Sequence, residues 1–411
     1  MKKASLESRL LVLVTLGLVA FGLVMVYSAT SAPAALASTD PMSYLKKQTA
    51  YAVIGFVGMM LAARFDYRRL RYVAPSLVLS ALLLCLAVLV IGTRVNGARR
   101  WISFGPATFQ PSELAKLALA IWAASYLARR PAPRTLKDLA RPIGLLLFLF
   151  CLLVLAEPDL GTAITIVIVL AAILLISGTP AATLAVGGGI LASLGLLAIW
   201  IEPYRRARIF SFIDPWKDAQ GAGFQTVQAL IAMGSGGLFG VGIGQGVTKI
   251  NYLPEAHTDM IMAVIGEELG LFGVTAVIVA FATFAYAGLR VALACKDPFG
   301  KRLAAGLVAL VAGQAVVNLA AVLGLAPLTG IPLPFISYGG SSLVVALLSV
   351  GILLNIAGGH GAEARAAVPD RGGRDSRSRA PVARGRGSAR SARRSSDVRR
   401  VAGSRRGSAR P

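Results

Sequence analysis

Histidine is almost missing from this chain, with two in 411 residues, His257 and His360. That scarcity disfavours a histidine-based metal centre. The three cysteines, Cys85, Cys151 and Cys295, stand singly, so neither a disulfide framework nor a zinc spacing exists. They read as small packing residues. Charge is scarce as well: 15% of residues are Asp, Glu, Lys or Arg, against about 25% in a soluble domain. Glycine is plentiful, yet Gly234 to Lys249, its densest stretch, contains no Gly-x-x-x-x-Gly-Lys-Ser/Thr phosphate loop. These glycines read as turns that let backbones approach closely, with Lys249 in reach of a phosphate. What abounds is apolar surface. At 56% hydrophobic residues, a single soluble core cannot hide the side chains, which places the chain in the membrane class.

Apolar runs long enough to span a bilayer cover Leu10–Tyr27, Leu45–Ala63, Pro75–Ile91, Glu113–Ala128 and Pro142–Ala156. They continue at Gly161–Ile176, Ala181–Ile201, Met260–Leu289, Leu303–Leu323 and Ser342–Ile356. A crossing helix needs about 20 residues, with a range of roughly 17–25. No alternating barrel pattern appears, so the expected fold is an all-α polytopic membrane protein with ten transmembrane helices. Lys2, Lys3 and Arg9 before the first run imitate a signal peptide, but the run is longer than an ordinary signal core and more spans follow. It reads as a retained first helix.

Loop charge orients the spans. With the N-terminus in the cytoplasm, the short cytoplasmic loops hold sixteen cations and the short outer loops five (Lys46, Lys47, Arg94, Arg99 and Arg100). Both ends then lie in the cytoplasm. A long outer segment, 202–258, separates the seventh and eighth spans; its aromatic residues and the apolar patch Val227–Met233 predict a structured cap with short interfacial helices. Residues 1–357 form the membrane domain. Fifteen of the 42 basic residues fall in 358–411, a stretch of Arg, Ser, Gly and Ala that reads as a disordered basic tail. It suits either anionic membrane lipids or a plain topology anchor. No folded nucleic-acid module accompanies it, so no nucleic acid is expected as a partner.

Ionisable groups near membrane depth are the strongest functional pointers, because burying them is costly. Glu113 and Lys116 share one helix face. Glu157 and Asp159 flank Pro158. Glu267 and Glu268 lie two turns into the eighth span, with His257 and Asp259 at its outer mouth. In the expected topology all of them fall toward the outer side. Arg99, Arg100 and Trp101 suit either a diphosphate beside a sugar or an interfacial anchor. Asp259 is open to two readings: a first-turn acid favoured by the helix dipole, or a general base in an outer cleft. The stretch Pro327 to Ser342 reads as a plain loop or as the re-entrant wall of a cavity.

Several segments together resemble the SEDS family (shape, elongation, division, sporulation). They are Gly22-Leu-Val-Met-Val-Tyr-Ser28, Asn96-Gly-Ala-Arg-Arg-Trp-Ile102, Gln110-Pro-Ser-Glu-Leu-Ala-Lys116, Glu157-Pro-Asp-Leu-Gly-Thr162 and Gly223-Phe-Gln-Thr-Val-Gln228. Tyr252-Leu-Pro-Glu-Ala-His-Thr-Asp259, Gly266-Glu-Glu-Leu-Gly270 and Pro332-Leu-Pro-Phe-Ile-Ser-Tyr-Gly-Gly-Ser-Ser342 complete the set. Asp214-Pro-Trp-Lys-Asp218 and Tyr252-Leu-Pro-Glu-Ala-His257 resemble the family's division branch more than its elongation branch. Met260 and Met262 depart from the Phe more usual there.

The resemblance implies a peptidoglycan glycosyltransferase of the cytoplasmic membrane that polymerises lipid II at the outer face. Its implied partners are a class B penicillin-binding protein that supplies the transpeptidase, and other divisome proteins. It also implies Asp259 as the essential acid. Arg99, Arg100, Trp101, Lys116, Lys249 and His257 become candidates for substrate binding, with Arg205 and Arg208 as further basic groups. Glu113, Glu157, Asp159, Gln225, Glu267, Glu268 and Ser341 take supporting roles. A divalent cation, Mg or Mn, suits diphosphate and carboxylate oxygens, and no other cofactor is expected. Lipid II flipping without chemistry, and a scaffold for the transpeptidase, are the competing readings.

Overall fold

Each predicted apolar run maps onto a helix in the computed structural model, which describes residues 6–36, 40–95, 98–105, 107–250 and 252–366. The helices are α1 (Leu6–Leu36), α2 (Ser43–Arg64), α3 (Leu70–Ile91), α4 (Pro111–Ala128), α5 (Leu136–Leu139), α6 (Leu145–Ala156) and α7 (Leu160–Ser177). Then come α8 (Ala181–Ile201), α9 (Pro203–Ile213), α10 (Phe224–Ser235), α11 (Ile261–Ala294), α12 (Pro298–Val322) and α13 (Gly340–Ala366). Among the described residues, eight helical stretches are long and apolar enough to cross a membrane. The predicted second and fourth spans, in α2 and α4, are not among them. The basic tail falls almost entirely outside the described residues; its first nine, 358–366, continue α13.

Burial explains why α4 is less apolar. Fourteen of its 18 residues are buried, so it meets protein on nearly all sides, packed by α3, α7 and α12. Ala115, Ala118, Ala120, Ala123 and Ala124 allow those neighbours close approach. The second predicted span lies against α13, where Gly55 and Gly351 bring the two helices together: a Cβ on Gly351 would stand 2.4 Å from the Met59 carbonyl oxygen. By contrast, α8 buries only Thr183 and presents Leu196, Trp200 and Ile201 outward.

Local chemistry sets the helix ends. Asp159 caps α7 by accepting from Thr162 N at 2.9 Å, and Asp297 caps α12 by accepting from Gly300 N at 3.1 Å. Pro111, Pro203 and Pro298 occupy first-turn positions, where a missing N–H costs nothing.

The all-α expectation needs one correction. Strands β1 (Thr93–Val95), β2 (Ala98–Phe104) and β3 (Ala107–Phe109) form a small antiparallel sheet in the order β1-β2-β3. Thr93 pairs with Trp101, and Ser103 with Thr108. Asn96-Gly97 in the sequence is a strong hairpin signal, and Arg99, Arg100 and Trp101 lie on a strand rather than in a plain loop.

The predicted cap contains α9 and α10, followed by the glycine-rich stretch. That stretch docks into a break in α11 at Gly270, whose φ of 63° and ψ of −158° interrupt the helix. Val241 N donates to the Glu267 carbonyl and Gly242 N to that of Glu268, both at 3.0 Å. Leu271 N returns a bond of 3.0 Å to the Gly237 carbonyl. Irregular backbone deep in such a protein persists only when partners satisfy it in this way. Gly240, at φ 81°, presses so close that a Cβ there would lie 2.2 Å from the Glu268 oxygen.

Candidate active site

Asp259 closes the turn that leads into α11. The Thr258 hydroxyl lies 3.2 Å from its Oδ1 and 3.2 Å from Glu255 Oε2, so it can donate to one carboxylate at a time. Burial, and then the charge of Glu255, pushes the Asp259 carboxyl up to about 6; Thr258 and the Arg208 guanidinium oppose that rise. Arg208 reaches in from α9, and its Nη1 donates to the Leu328 carbonyl at 3.1 Å. Gly330 lies close to both groups. A Cβ on it would be 3.9 Å from Arg208 Nη1 and 4.0 Å from Asp259 Oδ2.

Two residues before Asp259, His257 joins a cluster of aromatic rings. His257 packs edge-on against Tyr44 at 4.6 Å between ring centres and tilts against Tyr338 at 5.6 Å. Its main-chain carbonyl accepts from Tyr338 N at 2.8 Å. Burial lowers the imidazole's affinity for a proton, which favours the neutral ring. Tyr338 belongs to the proline-rich stretch, which is also held by Gln48 Nε2 donating to the Ser337 carbonyl at 3.0 Å. Ser341 pins β3 to the head of α13, donating to the Thr108 carbonyl at 3.2 Å and accepting from Gln110 N at 3.0 Å. Gln225 Nε2 reaches the Pro254 carbonyl at 3.5 Å, from α10 toward the turn that carries Asp259.

Other candidate residues are committed elsewhere. Lys116 is fully buried, 2.9 Å from Glu113 Oε1 and 2.6 Å from Gln314 Oε1. Lys249 pairs with Glu268 at 2.6 Å and also donates to Ser28 at 3.1 Å and to the Gly244 carbonyl at 2.9 Å. Glu267 accepts from Val247 N at 2.8 Å and Thr248 N at 3.1 Å, holding the glycine-rich stretch in place. Arg99 Nη1 donates to the Leu89 and Val90 carbonyls at 3.1 Å, capping α3. Arg100 Nε donates to the Glu157 carbonyl at 2.8 Å, and its Nη2 donates to the Pro158 carbonyl. Arg205 Nη2 donates to the Leu155 carbonyl at 2.6 Å, also at the end of α6. Trp101 is half-buried on β2. The Glu157 carboxyl sits buried near the Cys85 thiol and is pushed up to about 8 by burial and then by the charge of Asp159. Asp159 also accepts from Gln110 Nε2 at 3.2 Å.

Sequence reasoning missed Tyr44, Gln314 and Asn318. The signal lay in the two amides, which stand four residues apart inside the apolar run 303–323. Neutral polar groups at that depth demand partners as charged ones do. Among the described residues, no group of three or more His, Cys, Asp or Glu is arranged to hold a metal ion.

The profile of the FtsW/RodA/SpoVE family, described as "Cell cycle protein", matches residues 8–360. A relative from Geobacter sp. (strain M18), named "Probable peptidoglycan glycosyltransferase FtsW", is 44% identical over 345 residues, 82% of this chain and 93% of its own length. Stage V sporulation protein E of Bacillus subtilis (strain 168) is 38% identical over 352 residues, covering 84% of this chain and 96% of its own. A chain from a study titled "Structural coordination of polymerization and crosslinking by a peptidoglycan synthase complex" aligns with TM-score 0.72 at 32% identity, covering 85% of this chain and 97% of its own. The rod shape determining protein RodA of Thermus thermophilus aligns with TM-score 0.63 at 31% identity, covering 85% and 96%.

Proposed function

This chain belongs to the FtsW/RodA/SpoVE family, and from that premise we propose that it is a peptidoglycan glycosyltransferase of the division type. It polymerises lipid II at the outer face of the cytoplasmic membrane and releases undecaprenyl diphosphate. The observation that carries the reading is the Asp259 carboxylate with the Arg208 guanidinium near enough to oppose its rise, both groups lying close to Gly330. A carboxylate raised to about 6 is ionised at neutral pH and still basic enough to accept a proton. The guanidinium beside it suits a diphosphate.

In this proposal Asp259 takes the proton from the 4-hydroxyl of the acceptor's N-acetylglucosamine. That oxygen attacks the anomeric carbon of the donor with inversion. The bond to the diphosphate breaks, and undecaprenyl diphosphate leaves with the electron pair. Arg208 stabilises the charge that develops there. Arg99 and Arg100 spend donors on the carbonyls that end α3 and α6, and Lys116 and Lys249 sit in buried ion pairs. We therefore assign these four to holding the site together.

The same proposal sets the chain in the membrane with ten spans, α2 and α4 included, and with both ends in the cytoplasm. The segment 202–258 then lies outside. The loop charges and the burial of α4 support this. A class B penicillin-binding protein is the proposed partner, supported by the crosslinking complex to which the fold is similar.

The test supplies lipid II in detergent to the purified protein with its transpeptidase partner. Glycan strands form there without any bilayer to cross, which separates polymerisation from flipping. Asp259→Ala abolishes strands while folding and partner binding persist. Normal polymerisation by that variant refutes the base.

A further inference from the structure

Asn318 lies on α12, 2% exposed, with its side-chain nitrogen between two carbonyls. Its Nδ2 donates to the carbonyl of Asp259 itself at 2.8 Å and to that of Ile331 at 2.9 Å. Both amide hydrogens are used, and because both partners are acceptors the nitrogen must point toward them. Ile331 follows Gly330, the residue that lies close to both Asp259 and Arg208. One turn earlier on α12, Gln314 Nε2 donates to the next carbonyl, that of Pro332, at 2.9 Å, and Gln314 Oε1 accepts from Lys116. Two amides four residues apart thus hold two successive carbonyls of a stretch that has no helix or sheet to satisfy it.

We propose that Asn318 is a positioning residue for the transfer reaction, tying the main chain of Asp259 to the stretch that carries Gly330 and so fixing the carboxylate against Arg208. The inference rests on Asp259 being the base. Reaction rates depend steeply on such placement, since an error of about 1 Å can cost on the order of 100-fold. Asn318 touches neither reacting atom. It acts through the backbone of the residue that does.

Asn318→Leu keeps the branched shape of the side chain, at a larger volume, and removes both donors. In lipid II polymerisation by the full chain with its transpeptidase partner, the expected result is kcat lowered about 10- to 100-fold with KM little changed. The acidic limb of the rate profile moves up by about half a unit, as the carboxylate drifts from the guanidinium that favours its charge. Asn318→Ser, which keeps one donor in place of two, gives an intermediate loss and maintains the test should the leucine variant fail to fold. A loss proportional to the folded fraction, with the acidic limb unmoved, overturns the positioning role and leaves Asp259 as base. Wild-type polymerisation by Asp259→Asn overturns both, and the two failures are thereby told apart.

Discussion

Lys249 Nζ lies 2.6 Å from Glu268 Oε1, and neither side chain has meaningful contact with solvent. Ser28 also donates to the carboxylate, at 2.6 Å to Oε2. The pair fastens the end of the glycine-rich stretch to the first turns of α11, below Asp259. Breaking one half of a buried pair strands the other charge and costs about 3–5 kcal/mol. Lys249→Met therefore lowers thermal stability in detergent sharply. Lys249→Met with Glu268→Gln recovers most of the loss, read as the melting temperature of the purified protein.

A similar cycle decides what Lys116 does. Lys116→Met leaves Glu113 uncompensated and costs about 3–5 kcal/mol, while Lys116→Met with Glu113→Leu regains stability. Polymerisation returns with stability if the ion pair only supports the core. A stable double variant that cannot polymerise would instead give Lys116 a direct role on substrate.

The rate of polymerisation rises with pH through about 6, where Asp259 loses its proton, and then levels off. Stability runs the other way. The folded protein raises this carboxyl above its ordinary value of 3.8, so its contribution is fully present below that pH and is lost progressively as pH rises from there through about 6. Asp259→Asn is consequently more heat-stable than wild type at about pH 8; the gap narrows as pH falls through about 6 and closes only near the carboxyl's ordinary value of 3.8, while the variant stays inactive throughout. Melting curves of both proteins across this pH range check the sign.

Gly240→Ala puts a Cβ 2.2 Å from the Glu268 carbonyl oxygen at a left-handed backbone position. The glycine-rich stretch cannot then seat in the break of α11. A loss of about 1–3 kcal/mol is expected, with faster proteolytic cleavage between residues 236 and 250. Gly188→Ala on α8, where nothing lies within 4 Å, provides the neutral control.

Much of the architecture could be read from periodic and compositional features. Each apolar run from Leu10 to Ile356 maps onto a helix, because an uninterrupted apolar stretch has no other way to satisfy its backbone in lipid. The small sheet was legible at Asn96-Gly97, but its strands are too short to outweigh the surrounding helical pattern. Asp259 stood out in the sequence as an acid at a span's mouth, with two readings open. Lys116, Lys249, Arg99 and Arg100 stood out for their charge and suggested substrate contact. Of their buried or capping partners, Gln314, Ser28 and the Glu157 carbonyl lie far away in the chain, and only Leu89 is near.

The sequence by itself determined a multi-pass helical membrane protein of recognisable family, since apolar length and ordered motifs are properties of neighbouring residues. Only the tertiary structure decided which polar groups meet. Asp259, Arg208, Gly330 and Asn318 come from four separate segments. The amide at position 318 binds carbonyls, which every residue carries, so no pattern of side chains could announce its partners.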